Sequence, residues 1–334
     1  MADVLCLGEI LVDWVCTEQG HELDQSLTFT KAAGGAPANV AVGLARQGIS
    51  TGFIGRVSMD LFGKWLKELL EKEGIDTTCT VMDSQATTRM AYVVTTSTGD
   101  RKLAEFSRIA CADALLHKDD LKEDAFKNAC ILHFGSISLI AEPASAATRH
   151  AVERAKQNKM LISYDPNVRL GLWPSADICQ KTILDTLGFA DIVKINIDEL
   201  EFLTGSRQLS AAEKLRTEHK IPLLILTLDS DGCHFVTERA SKSVGGFKIQ
   251  LVEATGAGDG FVSAVISGLL PHVKTAMDKT AALKALSEEQ LTDIFRRANA
   301  VGAIACTRPG AIPALPTARE IAAFLEQNAL QPST

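Results

Sequence analysis

Three glycines and one aspartate stand together at residues 256–260, which read Gly-Ala-Gly-Asp-Gly. Alternating side chains predict a strand at 247–252, and apolar residues at helical spacing predict a helix from Phe261 onward. The first N–H groups of a helix have no partner inside the helix, and glycine lets a ligand approach the backbone closely. This turn is therefore suited to hold a phosphoryl group, with Asp259 beside it as a candidate general base.

The same turn also has a purely structural interpretation. Glycine-rich turns between a strand and a helix are common, and Asp259 could simply cap the helix. The chain has no G-x-x-x-x-G-K-[ST] motif, and the spacing of Gly256, Gly258 and Gly260 differs from G-x-G-x-x-G. The lack of that second fingerprint after the first strand argues against an NAD-dependent oxidoreductase. The turn alone leaves phosphate binding and helix capping open.

A second stretch near the N-terminus favours phosphate chemistry. Residues 34–39 read Gly-Gly-Ala-Pro-Ala-Asn, so bare backbone is followed by an amide that can donate and accept, or that merely starts a helix. Together with residues 256–260, more than 200 positions further on, this stretch resembles the paired signatures of the PfkB (ribokinase-like) sugar kinases, G-G-x-x-x-N and D-T-x-G-A-G-D. The resemblance covers essentially the whole chain. Residues 164–169, Tyr-Asp-Pro-Asn-Val-Arg, are most similar to fructokinases.

The family resemblance implies both a fold and an activity. The fold is a ribokinase-like α/β architecture, with a central, mostly parallel sheet, helices on both faces and a small β-sheet lid. The activity is transfer of the γ-phosphoryl group of ATP, with magnesium, to a primary hydroxyl of a sugar, and fructose is the first choice. A 2-keto-3-deoxygluconate kinase, another sugar or nucleoside kinase of the family, and an inactive kinase-like binding protein remain open.

The resemblance also implies roles for individual residues. The expected catalytic residues are the base Asp259 and the backbone N–H groups of Gly256, Ala257, Gly258 and Asp259 itself. The expected sugar-binding residues are Asp13, Gly34, Gly35, Asn39, Arg108, Asn167 and Arg169. The expected nucleotide-binding residues are Thr227, Ser230, Gly232, Gly258 and Asn299. Asn196 and Glu199 match an N-x-x-E motif that organises magnesium through water. A solvated loop residue is the alternative at Asp13, and a surface arginine is the alternative at Arg169.

One departure from the family signature concerns a monovalent cation. The signature usually begins with Asp-Thr, where this chain has Glu253 and Ala254. In ribokinase-like enzymes that aspartate belongs to a cation loop, together with a segment that corresponds here to residues 305–314. Glu253 and Thr255 are therefore the candidate potassium ligands, although the longer glutamate side chain argues against potassium activation.

The pattern of apolar runs predicts the elements that position these residues. Four apolar runs alternate with helical stretches, which predicts a parallel sheet covered on both faces. These runs are 131–134, 160–164, 192–195 and 223–228. Ligands bind outside the carboxyl ends of such strands, so the polar residues that follow the runs should meet in one crevice. These residues are Asp165, Asn167, Asn196, Glu199, Thr227 and Asp229.

Two further segments, approximately 12–31 and 87–108, do not follow this alternation. The second reads as a β-hairpin with a glycine-containing turn, and it carries Arg89 and Arg108. We predict that both segments form a small sheet within one domain that spans residues 1–334. In the resembling family such a sheet covers the sugar and often forms a dimer contact, which implies a homodimer through the lid. The alternative is an edge hairpin with solvated arginines.

Composition bounds the partners and the compartment. The formal net charge of −7 argues against a general nucleic-acid or anionic-membrane surface. No apolar run reaches membrane-spanning length, and the N-terminal residues show no signal peptide. The eight cysteines are scattered without a C-x-x-C pair, which indicates a reducing cytoplasm.

Overall fold

The strands of the fold form two separate sheets. The computed structural model describes residues 2–97, 101–107 and 111–329. The strands, in chain order, are β1 (Val4–Leu7), β2 (Leu11–Gln19), β3 (Phe29–Gly34), β4 (Thr51–Ser58), β5 (Thr80–Asp83), β6 (Met90–Thr95), β7 (Arg101–Phe106), β8 (Ile131–Phe134), β9 (Leu161–Tyr164), β10 (Ile192–Asn196), β11 (Leu223–Thr227), β12 (Cys233–Val236) and β13 (Ser241–Val244).

The α-helices of the described residues lie mainly between the strands and after the last one. In chain order they are α1 (Ala36–Arg46), α2 (Leu61–Lys72), α3 (Glu123–Phe126), α4 (Ala144–Gln157), α5 (Ala176–Leu187), α6 (Ile197–Thr204), α7 (Leu209–Glu218), α8 (Ala257–Val273), α9 (Lys279–Lys284), α10 (Glu288–Cys306) and α11 (Ala318–Ala329). Within this described part, no helix combines the length and the apolar character that crossing a membrane requires.

The main sheet has nine strands in the order β13-β12-β11-β10-β9-β8-β1-β4-β5. The strands from β11 to β5 run parallel, and β12 and β13 add an antiparallel edge. The predicted parallel sheet is therefore confirmed. Each of the four predicted apolar runs agrees with one strand of this sheet to within a residue at either end.

Helices cover both faces of the main sheet and create two cores. Side chains alternate along a strand, so Val4 and Cys6 of β1 enter one core while Leu5 and Leu7 enter the other. The first core contains residues of α1, α8 and α10, and the second contains residues of α4, α5, α6 and α7. Burial on both faces explains why these strands read as continuous apolar runs in the sequence.

The second sheet has four strands in the order β3-β2-β6-β7. Strand β2 pairs antiparallel with β3 and parallel with β6, and β6 and β7 form the predicted hairpin. Residues 98–100 of the hairpin turn lie outside the described residues. This sheet has its own small apolar cluster, which contains Leu11, Ala91 and Phe106. We call these four strands the lid sheet.

The strand predicted at 247–252 does not form, and this prediction was wrong. Residues 245–256 run as an irregular loop, in which the N–H groups of Val252 and Glu253 both donate to the carbonyl of Cys306, at 2.8 and 3.2 Å. Leu251 is 61% exposed, so the alternation in this stretch does not reflect a buried face. The turn at 256–260 is therefore reached by a loop anchored on the end of α10.

Candidate active site

Helix α8 begins in the glycine-rich turn without a side-chain cap. Its N-cap residue is Gly256, with φ 79°, where a Cβ atom would lie 2.9 Å from the Cα of Ala311. Among the described residues, no partner accepts from the N–H groups of Gly256, Gly258 or Asp259. The N–H of Ala257, an expected phosphoryl donor, instead bonds the carbonyl of Ala254 at 3.2 Å. The helix start thus presents open donors at Gly256, Gly258 and Asp259, but not at Ala257.

Asp259 lies buried in the first turn of α8. Burial is the largest effect on its pKa, which is raised to about 6, and the nearby charge of Asp165 acts in the same direction. A hydrogen bond from Asn39 and the charges of Lys194 and Arg169 oppose this rise. We expected the helix start to favour the charged form, but burial outweighs it. The carboxylate remains mostly ionised at neutral pH, as a general base must be.

Asn39 joins the two sequence motifs. It lies buried in α1, and its Nδ2 donates to Oδ2 of Asp259 at 2.8 Å, across a separation of 220 residues. Its Oδ1 has no hydrogen-bond partner in the described part of the chain. A buried amide oxygen of this kind normally has a partner, so it offers an acceptor to a ligand. The N-terminal glycine stretch and the turn at 256–260 therefore face each other at one site.

Asp13 and Gly34 lie on neighbouring strands of the lid sheet, and Gly35 follows directly as the N-cap of α1. Asp13 is on β2 and pairs with Ala32 of β3, close to the end of that strand. A side chain at Gly34 would collide with the Asp13 carboxylate, and Gly35 adopts φ 106° with its backbone against the carbonyl of Glu9. Only glycine fits between these groups, so the carboxylate of Asp13 stands over bare backbone. The predicted residue Arg108 lies outside the described residues.

The loop after β9 contains Asn167 and Arg169. The N–H of Asn167 donates to Oδ1 of Asp165 at 3.2 Å, and Asn167 adopts φ 43°. The exposed guanidinium of Arg169 donates to the carbonyl of Val168 at 3.0 Å. A cavity of roughly 470 Å³ separates this loop from lid strand β7, and its lining includes Arg169, Asn196 and Glu199. The loop and the N-x-x-E motif thus share one cavity beside the lid.

Asn196 and Glu199 form a capping box at the start of α6. Asn196 Oδ1 accepts from the N–H of Glu199 at 2.7 Å, and Glu199 Oε2 accepts from the N–H of Asn196 at 2.9 Å. Glu199 Oε1 also accepts from the N–H of Val168 at 2.8 Å. No group of three acidic, histidine or cysteine side chains among the described residues could cage a metal. One carboxylate and one amide suit magnesium that is held through water and nucleotide phosphates.

Apart from Gly258 in α8, the predicted nucleotide residues lie at the end of β11, in the turn between β11 and β12, or on α10. Thr227 ends β11 and pairs with Asn196 of β10, whereas Ser230 is exposed in the following turn. Gly232 adopts φ 93°. The Nδ2 of Asn299 donates to the carbonyls of residues 244 and 245, at 2.9 and 3.1 Å. The Asn299 amide therefore holds the loop after β13, and its NH₂ group is not open for adenine.

Glu253 and Thr255 lie in the loop that leads to α8. The Oε2 of Glu253 accepts from the N–H of Gly310 at 2.8 Å, so it ties this loop to the segment 305–314. The loop around Glu253 and the segment 305–314 were expected to lie together, and this hydrogen bond joins them. Thr255 is half-buried.

Comparison with known proteins identifies the family. The profile of the family described as pfkB family carbohydrate kinase matches residues 1–318. The chain belongs to this family. The predicted family and enzyme class, a carbohydrate kinase, are thereby confirmed.

Relatives and solved structures of the pfkB family match the chain over nearly its full length. A probable fructokinase-4 from Arabidopsis thaliana is 40% identical over 326 residues, which cover 97% of this chain and 97% of that protein. The crystal structure of a fructokinase with bound ATP from Xylella fastidiosa has a TM-score of 0.87 at 30% identity, covering 98% of this chain and 100% of that one. A fructokinase double mutant from Vibrio cholerae O395, in fructose, ADP and potassium ion bound form, has a TM-score of 0.80 at 31% identity, covering 97% and 98%. These neighbours confirm the ribokinase-like fold.

Sequence reasoning missed Lys194 in this pfkB-family site. Its buried Nζ donates to Oδ2 of Asp165 at 3.1 Å, and it would lie 3.4 Å from a Cβ atom at Gly258. Burial disfavours its charged form, but the charges of Asp165, Glu199 and Asp259 outweigh that and raise the pKa of Lys194. The ammonium therefore lies beside Gly258 in the first turn of α8. The one signal in the sequence was a lysine inside the apolar run of β10.

Proposed function

We propose that this protein is an ATP-dependent fructokinase, which converts fructose to fructose 6-phosphate. The observation that carries the proposal is the 2.8 Å hydrogen bond between Asn39 and Asp259, because it brings the sugar loop and the phosphoryl turn into one site. The names of relatives about 40% identical over nearly the full length support fructose as the acceptor. The Vibrio structure, solved with fructose and ADP, supports the same choice.

Asp259 acts as the general base. Asn39 holds one of its carboxylate oxygens, which leaves the other to accept the proton of the attacking sugar hydroxyl. The hydroxyl oxygen forms its bond to the γ-phosphorus while the bond to the leaving ADP oxygen breaks, and the proton ends on Asp259. General-base assistance of this kind typically contributes about 10²–10⁴ in rate.

The start of α8 stabilises the transferred phosphoryl group. Within the described structure the N–H groups of Gly256, Gly258 and Asp259 have no acceptor, and the Lys194 ammonium lies beside Gly258. These donors and this charge are fixed before the reaction, so they require no reorganisation when negative charge develops on the phosphoryl oxygens. Loss of one such donor typically costs about 10²–10³ in rate.

Magnesium-ATP supplies the phosphoryl group and the cation that neutralises the phosphates. Asn196 and Glu199 would hold the waters of the metal, while the capping box keeps both side chains in place. Thr227, Ser230 and Gly232 would border the nucleotide phosphates. Asn299 would shape the loop beside the adenine rather than bond the base, because its NH₂ group is already engaged.

The sugar would bind between the lid sheet and α1. The Asp13 carboxylate accepts hydroxyl hydrogen bonds with fixed direction, and Gly34 and Gly35 admit the ring against bare backbone. The unpartnered Oδ1 of Asn39 accepts one further hydroxyl. Beyond these, Asn167, Arg169 and Arg108 complete the proposed sugar set.

We also propose a homodimer, a weak effect of potassium and a cytoplasmic location. We place a homodimer contact on the lid sheet, since Leu27, between β2 and β3, is 85% exposed. Potassium would affect activity weakly, because one Glu253 oxygen is bonded to the N–H of Gly310. The seven described cysteines other than Cys111 are free thiols, which suits a reducing cytoplasm. The whole of residues 1–334 would work as one domain, with the lid sheet as part of it.

An ADP-release assay over four acceptors tests the proposed function. Purified protein with magnesium-ATP is given fructose, ribose, 2-keto-3-deoxygluconate or adenosine, and we expect the highest kcat/KM with fructose. Turnover of none of them would contradict a kinase. A higher kcat/KM for 2-keto-3-deoxygluconate would contradict only the choice of sugar.

A further inference from the structure

A second cavity lies at the edge of the main sheet opposite the active site. It has a volume of roughly 490 Å³. Its lining includes Met160, Asp191 and Pro222, which immediately precede β9, β10 and β11. The active-site residues follow the other ends of the same strands. Five lysines from separate parts of the chain line the cavity: Lys156, Lys159, Lys220, Lys279 and Lys284. We call it the lysine cavity.

The positive charge of the lysine cavity exceeds its negative charge, because five lysines and two carboxylates, Asp191 and Asp278, line it. Within the described residues, none of its five lysines forms an ion pair, in a chain with a net charge of −7. Its two carboxylates are held by other partners. Asp191 accepts from the N–H of Ile162 and from the hydroxyl of Thr280, at 2.9 and 2.8 Å, and Asp278 caps α9. The charge of Asp191 acts on Lys156 and Lys284 without forming an ion pair, so a net positive charge remains available to an external anion.

Two of the lysines occupy backbone positions that usually favour glycine. Lys159 follows α4 and Lys220 follows α7, with φ 56° and 55°. The left-handed conformation just beyond a helix end is most often taken by glycine. A single lysine at such a position could simply complement the helix dipole. Two such lysines at one cavity are the stronger observation. Lys159 and Lys220 thus place two cations at one cavity, although each adopts a backbone conformation that is unfavourable for lysine.

Apolar side chains lie beside these cations. Phe189 is 50% exposed and Met277 is 88% exposed, and both line the cavity. The Lys156 ammonium stands 4.5 Å from the centre of the Phe189 ring. Exposed apolar surface next to unpaired cations suits a ligand that has both an anionic and an apolar part.

We propose that the lysine cavity binds a small organic molecule with two or more phosphate groups, such as a sugar bisphosphate. The lysines hold the phosphates, and the organic part lies against Phe189 and Met277. The volume falls in the range of roughly 300–1,000 Å³ that is common for small-molecule sites. The site is separate from the phosphoryl-transfer centre and does not depend on which sugar is phosphorylated there.

Calorimetric titration with fructose 1,6-bisphosphate tests the proposal. The wild-type protein is compared with Lys156→Gln/Lys284→Gln, which removes two cations of the cavity, and with Lys64→Gln/Lys118→Gln, which removes two exposed lysines elsewhere. We expect submillimolar binding to the wild type and to the control pair, and at least a tenfold weaker Kd for the cavity pair. Because all four lysines are exposed, the variants should keep the wild-type Tm and kcat with fructose.

The outcomes separate this site from the active site and from general charge attraction. Equal binding by the cavity pair and the wild type would place the bisphosphate elsewhere and overturn the proposal. Equal weakening in both pairs, or no binding to the wild type, would also overturn it. Phe189→Ala should weaken fructose 1,6-bisphosphate severalfold and leave inorganic pyrophosphate unchanged. An unchanged Kd for both probes would overturn the role assigned to the apolar surface.

Discussion

Helices α6 and α8 both begin with a buried acidic residue in the first turn, yet they use it in opposite ways. At α6, Asn196 and Glu199 bond each other's backbone N–H groups, so the side chains close the helix start. At α8, Gly256 provides no side-chain cap, and the Asp259 carboxylate is bonded instead to Asn39 of another helix. At the start of α6, side chains of the same helix start accept from backbone N–H groups. At the start of α8, three described N–H groups have no acceptor.

The difference shows how to distinguish a capping carboxylate from a reactive one. An acidic residue in the first turn complements the helix dipole in either case, so residue type alone does not decide. What decides is the destination of the hydrogen bonds. Glu199 accepts from two backbone groups, whereas Asp259 receives one side-chain donor and leaves backbone N–H groups free beside it. Substitutions at these two helix starts should therefore have unequal effects on catalysis.

The largest effect should come from Asp259→Asn, which keeps the shape of the side chain and removes the base. We expect kcat to fall by at least about 10²-fold, with fructose affinity little changed, because the base acts mainly on the transition state. Steady-state kinetics and calorimetric binding of fructose would measure both quantities. A variant that kept full turnover would show that another group takes the proton.

The pH dependence should report the raised pKa of Asp259. Because the base must be ionised, kcat/KM should be lost as pH falls through about 6, by a factor approaching ten per pH unit below that value. This acidic limb of the pH profile could instead come from the buried Glu9, whose pKa is raised to about 7 mainly by burial. The variant Glu9→Gln should leave the limb near pH 6. Disappearance of the limb in that variant would assign it to Glu9.

Asn39→Ala should move the same limb upward. The amide of Asn39 stabilises the charged form of Asp259, so its loss raises the pKa of that carboxyl. A hydrogen bond to a charged group is worth about 1.5–3 kcal/mol, which corresponds to about one to two pH units. At pH 7 the expected loss of kcat/KM from ionisation alone is roughly 2- to 10-fold. An unchanged limb with lower activity would mean that Asn39 serves only the sugar.

The smallest catalytic effect should come from Glu199→Gln, the matched acid-to-amide change at α6. The amide can accept only one of the two backbone hydrogen bonds that the carboxylate accepts, and loss of a hydrogen bond to a charged group typically costs about 1.5–3 kcal/mol of stability. We expect a lower Tm, weaker activation by magnesium and, once magnesium is saturating, a change in kcat far below that of Asp259→Asn. Thermal unfolding and kinetics at saturating magnesium would test this. Equal losses of kcat at the two positions would remove the distinction between the two helix starts.

Much of this arrangement could be predicted from the sequence because its signals are local. Buried strands appear as apolar runs, and the two glycine stretches need glycine where backbone approaches backbone, as at Gly35 and Gly256. The family resemblance assigned Asn39 to the sugar and Asp259 to catalysis, but it did not predict that the two side chains bond each other. No local pattern encodes a contact between residues 220 positions apart.

The features that were missed depend on tertiary partners. Lys194 looked like an interruption of a strand, and only the packed sheet shows three carboxylates around it. The alternation at 247–252 predicted a strand, but within the described part of the chain this stretch pairs with no strand of either sheet. The engagement of the Ala257 N–H and of the Asn299 amide depends on loop paths that residue types do not specify.

The close contact of α1 and α8 has a consequence for protein engineering. A Cβ atom at Gly43 would lie 2.5 Å from the hydroxyl oxygen of Ser263, and Gln47 donates to that same oxygen at 2.9 Å. The two helices are thus interlocked one to two turns beyond the Asn39–Asp259 bond. A chimera that takes its N-terminal half from a kinase with a different sugar preference would displace the base unless α8 is exchanged with it. An exchange that alters acceptor preference should therefore transfer α1 and α8 together to preserve turnover.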